Sequence, residues 1–173
     1  MGGAIDREDA WKACKMNIEE LKMLDDSELI ALRVTVEREL ERRGIALTVG
    51  EMGETLTIDF FKKTPGLPNL QKAPTGTKNV DALSREGDRY SIKTIQRGKK
   101  TSTIYPDPND PDKQLFEYIL VSKLDEDMRL VWIRQFTWKE FVDCRGWDSR
   151  MNAWYVGCSA KTMKKGTLIH GKA

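Results

Sequence analysis

Residues 80–94 read VDALSREGDRYSIKT. Two runs of strand character flank a turn that contains Gly87. With the turn centred on Glu86, Val80 faces Ile92, Asp81 faces Ser91 and Ala82 faces Tyr90. Side chains on paired strands alternate between faces with a period of two. Val80, Ala82, Tyr90 and Ile92 therefore form one apolar face suited to a core, and Asp81, Ser91 and Lys93 form the other. A one-residue slip mixes the two sets, so the segregation itself specifies the register.

A carboxylate and an ammonium on neighbouring strands suit phosphodiester hydrolysis. Asp81 can hold a hard divalent cation such as Mg²⁺, which takes oxygen ligands and keeps several waters. A cation there polarises a phosphoryl oxygen and makes a water more acidic. Lys93 can position or deprotonate that water and balance the charge that develops on phosphorus. An ordinary surface hairpin with its polar face in solvent has the same spacing, so spacing alone leaves both readings open.

Immediately upstream, Thr48 and Glu51 have the spacing of a capping box, which assigns Glu51 to the cap of a helix running to about Lys62. Val49, Met52, Leu56 and Phe60 form one stripe of that helix. Glu54 shares a second face with Ile58 and Phe61. A carboxylate beside two large apolar residues has to be paired, metal-bound or neutralised, because burying a free charge is costly.

Together these residues resemble the PD-(D/E)XK nuclease superfamily. The likeness rests on Asp81, followed by Ser91 and Lys93 ten and twelve positions later. This is close to the spacing in restriction endonucleases whose motif lies across a short hairpin. Gly50-Glu-Met-Gly-Glu54 is similar to the G-x-x-x-E helix of many members. Residues 45–145 are similar in layout to a small group of bacterial proteins of the restriction-endonuclease-like class. The resemblance implies an α/β fold with a central mixed sheet flanked by helices. It also implies Asp81 and Glu54 as metal ligands, Lys93 as the catalytic lysine and Mg²⁺ as cofactor, with Mn²⁺ able to substitute. Ser91 departs from the pattern, since an acid is usual there; the site loses one negative charge, and Glu54 is the candidate to replace it.

Further out, three parts are expected: a helical segment at 1–44, the nuclease-like core at 45–145, and a basic, aromatic segment at 146–173 packed on that core. Residues 1–17 read as a loose arm or a short helix. Asp25 and Glu28 form a capping box, Leu29, Leu32, Val36 and Leu40 make one helical stripe, Glu39 and Arg43 pair at i,i+4, and Gly44 stops the helix. The stripe suits internal packing or a homodimer contact. Residues 64–78 and 97–114 read as loops rich in Pro and Gly. FEYILVSKL and RLVWIRQF read as two strands joined by Asp125-Glu126-Asp127. Thr137 and Glu140 cap a helix through about Cys144.

Residues 1–60 carry 8 Lys/Arg against 14 Asp/Glu, a net of −6, and residues 61–173 carry 21 against 13, a net of +8. This asymmetry permits a polyanionic partner without requiring one. Arg97, Lys99, Lys100 and Arg150 are the candidate DNA contacts. Trp147, Trp154 and Tyr155 beside them suit base stacking, although Trp147 and Trp154 also fit a core, as do Trp11, Trp132 and Trp138. Lys161, Lys164 and Lys165 read as a solvated end.

With 39% hydrophobic and 32% charged residues, the composition is that of a folded domain rather than a disordered tail. No apolar run is long enough to cross a membrane, and MGGAIDREDAWK lacks the apolar stretch of a secretory signal. Three scattered cysteines and one histidine, His170, exclude a zinc site of standard spacing and disfavour a disulfide framework, so a reducing cytoplasm is expected. No histidine lies near Cys144 or Cys158 in sequence, which argues against thiol catalysis.

Three functions follow for testing. The first is a Mg²⁺-dependent endodeoxyribonuclease. The second is a DNA-binding protein that keeps the fold without catalysis, which Ser91 favours. The third is a partner-binding protein in which Glu54 makes a plain salt bridge away from Asp81 and Lys93.

Overall fold

Asp25 and Glu28 close the expected capping box: Glu28 N donates to Asp25 Oδ1 at 2.9 Å, and Asp25 N donates to Glu28 Oε2 at 2.9 Å. The computed structural model describes residues 18–172 and divides the chain into two compact units, Met1–Gly44 and Ile45–Ala173. The expectations for residues 1–17, including Trp11 and Cys14, lie outside the described residues. In the first unit, α1 (Ile18–Lys22) precedes α2 (Asp26–Arg42). Arg43 pairs with Glu39 at 2.7 Å, and Gly44 adopts a left-handed φ of 69° past the helix end. Leu29 and Val36 of the α2 stripe are exposed.

The second unit begins with α3 (Val49–Lys63), capped by Thr48, whose side chain accepts from Glu51 N at 3.2 Å. Of its two apolar faces, the one that holds Ile58 and Phe61 turns inward, whereas Leu56 on the other stripe is 36% exposed. Gly53, Thr57, Ile58 and Phe61 are buried instead. Two of these four are small, which lets the helix sit close on the sheet. Thr57 Oγ1 donates to Gly53 O at 2.7 Å and shares a hydrogen bond with Ser122 at 2.7 Å.

Six strands form a mixed sheet in the order β1-β2-β3-β4-β5-β8: β1 (Gln71–Lys72), β2 (Ala82–Leu83), β3 (Arg89–Ile95), β4 (Tyr118–Leu124), β5 (Leu130–Thr137) and β8 (Thr167–His170). Only β3 and β4 run parallel. The hairpin register is as read: Ala82 pairs with Tyr90 and Leu83 with Arg89. Gly87 takes a φ of 94° in the turn. The segment 64–78 is not wholly loop, because Gln71 and Lys72 add an edge strand to β2. Such a strand leaves no mark in the sequence, because two residues carry no detectable period.

The sheet separates two apolar clusters. Ile58 and Phe61 of α3 pack with Leu70, Ala82, Tyr90, Ile92, Leu120 and Ile133. Ile119 and Val121, neighbours of Leu120 on β4, point to the other cluster with Phe116, Phe136, Phe141 and Trp154. This alternation along β4 covers both faces of a central strand.

Thr137 and Glu140 close the third capping box over α4 (Trp138–Val142), which ends two residues before Cys144. The segment 146–173 is built into the second unit. A two-stranded sheet, β6 (Arg145–Asp148) and β7 (Ala153–Val156), is followed by α5 (Ala160–Met163) and then β8. Residues 97–114 are irregular but tied down, since Lys100 bridges to Gly157 and Ile104 to Trp154. Trp154 is core, whereas Trp147 is 51% exposed. Trp132 and Trp138 are partly buried against the core. Lys161, Lys164 and Lys165 are exposed. Among the described residues, no helix is long and apolar enough to cross a membrane.

Candidate functional site

Asp81 lies one residue before β2 and is held by backbone bonds on both sides. Its N–H donates to Tyr90 O at 2.8 Å, and its carbonyl accepts from Ala73 N at 2.9 Å. The carboxylate therefore projects from a fixed backbone. Three donors converge on one of its oxygens, Oδ2: Ile92 N at 2.6 Å, Ser91 Oγ at 3.2 Å and Lys93 Nζ at 3.2 Å. Oδ1 receives none of them. The period-two reading of the hairpin thus places Asp81, Ser91 and Lys93 together.

The first two turns of α3 meet this group across an open cleft of about 360 Å³. Glu51 and Glu54 line it with Asp81, Lys93, Thr94 and Ser102. Glu54 is 15% exposed and ion-paired to Lys72 Nζ at 3.3 Å. Its carboxyl is pushed above the usual range, first by burial and then by the nearby negative charge of Asp81, while Lys72 pulls it down. Glu54 thus lies within electrostatic reach of Asp81, and its ion pair is with Lys72.

Two residues of this arrangement, Glu51 and Lys72, are not among those that the sequence pattern singles out for the site. Glu51 was assigned to the cap, but only its N–H serves there; its Oε2 accepts from Lys72 Nζ at 3.1 Å. A usable signal existed, since Glu51 and Glu54 at i,i+3 lie on one helix face. Lys72 itself was hidden in a segment read as loop. Burial alone would lower its pKa, but the bond to Glu51 and the charges of Glu54 and Glu51 outweigh it and raise the ammonium's pKa.

The donor set is all oxygen on the acid side. Among the described residues, no group of three or more His, Cys, Asp and Glu side chains has metal-holding geometry. Two carboxylates completed by water nevertheless fit a hard cation such as Mg²⁺, which is held through one or two carboxylates and keeps several waters. Ser91 adds no ligand charge: it is completely buried, and its hydroxyl donates to Asp81.

Arg97, Lys99, Lys100 and Arg150 do not line the cleft. Arg97 pairs with Glu126 at 3.1 Å, and Lys100 pairs with Asp148 at 2.8 Å while lying 4.6 Å from the Tyr155 ring. The Arg150 backbone N–H donates to the same Asp148 at 3.2 Å. The Arg97–Glu126 pair is exposed on both sides, whereas Asp148 in the Lys100 pair is only 16% exposed. Cys144 and Cys158 are half-buried, which pushes both thiols up and away from the reactive thiolate.

Glu54 makes one stability prediction. Its folded-state pKa lies above the ordinary value of 4.5, so the folded chain holds this proton more tightly than the unfolded chain does. The corresponding stability is full below the ordinary value and is lost as pH rises through the folded one. Glu54→Gln removes that loss. Thermal unfolding is expected to show the variant gaining on the wild type as pH rises above the ordinary value of 4.5. An unchanged difference in Tm contradicts the assignment.

Comparison with known proteins gives no match to a family model and none to a curated sequence.

Proposed function

We propose that the second unit is a metal-dependent endodeoxyribonuclease of the restriction-endonuclease-like class, with Asp81, Glu54 and Lys93 forming its site. The supporting observation is the shared position of Asp81 and Lys93: the ammonium lies 3.2 Å from the carboxylate, on the cleft that Glu54 also lines. The α/β architecture with its mixed six-stranded sheet is compatible with such a fold.

When bound, Mg²⁺ would supply Lewis-acid polarisation of a phosphoryl oxygen and a more acidic water; Asp81 and Glu54 would hold it. Lys93, as an ammonium, would place a positive charge beside the reacting phosphate and would orient a water by donating to it. Ser91 and Ile92 N orient Asp81 by loading Oδ2, which leaves Oδ1 for the ligand. The test is incubation of the whole chain with duplex DNA and Mg²⁺ or Mn²⁺, methylated and unmethylated, beside Asp81→Ala and Lys93→Ala. Cleavage that survives both substitutions ends the assignment.

One observation favours a second reading. The position usually occupied by an acid holds a fully buried, neutral Ser91, which suits a DNA-binding protein without catalysis. Salt-sensitive binding with no metal-dependent cleavage is its signature. In either case Arg97 and Lys100 are proposed phosphate contacts. Arg97→Ala and Lys100→Ala are each expected to weaken DNA binding and to flatten the salt dependence by about one unit of log–log slope. A titration series over salt concentration reads this directly, and unchanged slopes remove both residues from the interface. The scattered cysteines keep a reducing cytoplasm as the proposed compartment.

A further inference from the structure

We infer that Lys72 is a built-in counter-ion of the cleft, whose ammonium competes with a divalent cation for Glu54; the inference rests on the proposed metal-binding role of Asp81 and Glu54. The ammonium lies 3.3 Å from Glu54 Oε1 and 3.1 Å from Glu51 Oε2. It bridges two carboxylates of one helix face from an edge strand of only two residues.

The charges around the cleft explain why this matters. Glu51, Glu54 and Asp81 bring three negative charges; Lys93 and Lys72 bring two positive ones. Lys93 is committed to Asp81, with Nζ 3.2 Å from Oδ2. Among the described residues, Lys72 is the cation paired with Glu54, a carboxylate that is only 15% exposed. A divalent cation shared by Asp81 and Glu54 would lie within a few ångströms of that ammonium, and like charges at such range repel strongly. Cation entry therefore requires the ammonium to leave Glu54. Lys72 can do so: its side chain is 51% exposed, its stem is flexible, and Glu51 offers an alternative, more exposed anchor. The exchange keeps Glu54 compensated in both states and sets a threshold on cation affinity.

The experiment is calorimetric titration of the full chain with Mn²⁺ alone, for the wild type, Lys72→Met, Lys72→Arg, Glu54→Gln and the Lys72→Met/Glu54→Gln double variant. Lys72→Met keeps the length of the stem at a half-exposed position, and its thermal unfolding checks the fold. Lys72→Met is expected to bind Mn²⁺ about tenfold more tightly, a coupling within the usual range for interacting sites. Lys72→Arg, which keeps the charge, is expected to bind as the wild type does. The gain is expected to vanish when Glu54→Gln is also present. A merely structural lysine predicts unchanged or weaker binding in Lys72→Met; that result, with the wild type still binding Mn²⁺ through Glu54, overturns the competition alone. Absence of Mn²⁺ binding in both the wild type and Lys72→Met overturns the metal site and the competition together.

Discussion

Asp81→Ala and Lys93→Ala are each expected to lower Mg²⁺-dependent cleavage of duplex DNA by about a hundredfold to a thousandfold, the usual cost of removing one preorganised charge from a transition state. The two substitutions act differently. Asp81→Ala removes a proposed ligand and also leaves Ile92 N, Ser91 Oγ and Lys93 Nζ without the oxygen they share. Its damage extends to metal binding, and Mn²⁺ titration should show the loss. Lys93→Ala leaves both proposed ligands in place, so metal binding is retained while turnover falls. The double variant is expected to be little worse than the weaker single one, because residues that act as a unit are not additive. Ser91→Ala marks the other end of the scale. It removes one of three donors to Oδ2 and no ligand charge, so cleavage is expected to fall by less than about tenfold. If Ser91→Ala and Lys93→Ala prove equally mild, Lys93 is a structural partner of Asp81 and the nuclease proposal fails.

The hairpin was legible in the sequence because its period is two and its turn contains a glycine that takes φ = 94°. Face segregation along the hairpin is enough to place Asp81, Ser91 and Lys93 together. Burial of Ser91 was not legible, since a hydroxyl on a polar strand face carries no mark of being covered. The helix before the hairpin was half legible. Its limits, and the face that Glu54 shares with Ile58 and Phe61, followed from capping and spacing; Gly53 and Thr57 on the buried side did not, because hydrophobic periodicity ignores both. Lys72 could not be found by pattern, as its strand is shorter than one period. The last strand, Thr167–His170, was lost in a tail read by its charge, although it pairs with β5 in the main sheet. Long-range pairing of a four-residue segment has no local signature.

Gly53→Ala is expected to destabilise the second unit by about 1–3 kcal/mol, as overpacking does, and to disable the site from a distance. A Cβ built on Gly53 would lie 2.2 Å from both Thr94 Cγ2 and Thr94 Oγ1 and 2.7 Å from Thr94 Cβ. Thr94 is β-branched and sits on β3 directly after Lys93, so it has little freedom to yield. The helix must instead lift from the strand. Opposing this, alanine is the better helix former by about 0.5–1 kcal/mol, which offsets part of the cost. Lifting α3 moves Glu54, one residue on, relative to Asp81 and Lys93. Stability and metal binding should therefore fall together in thermal unfolding and Mn²⁺ titration. Thr94→Ala separates this account from a general defect. Thr94 Oγ1 is buried and has no hydrogen-bond partner among the described residues, so its removal breaks no bond and clears two of the three colliding atoms. Gly53→Ala/Thr94→Ala is expected to recover much of the lost stability and metal affinity, though not all, because Thr94 Cβ remains. If Gly53→Ala is as stable as the wild type and binds Mn²⁺ equally well, close approach of α3 to β3 is not what sets the spacing of Glu54 and Asp81.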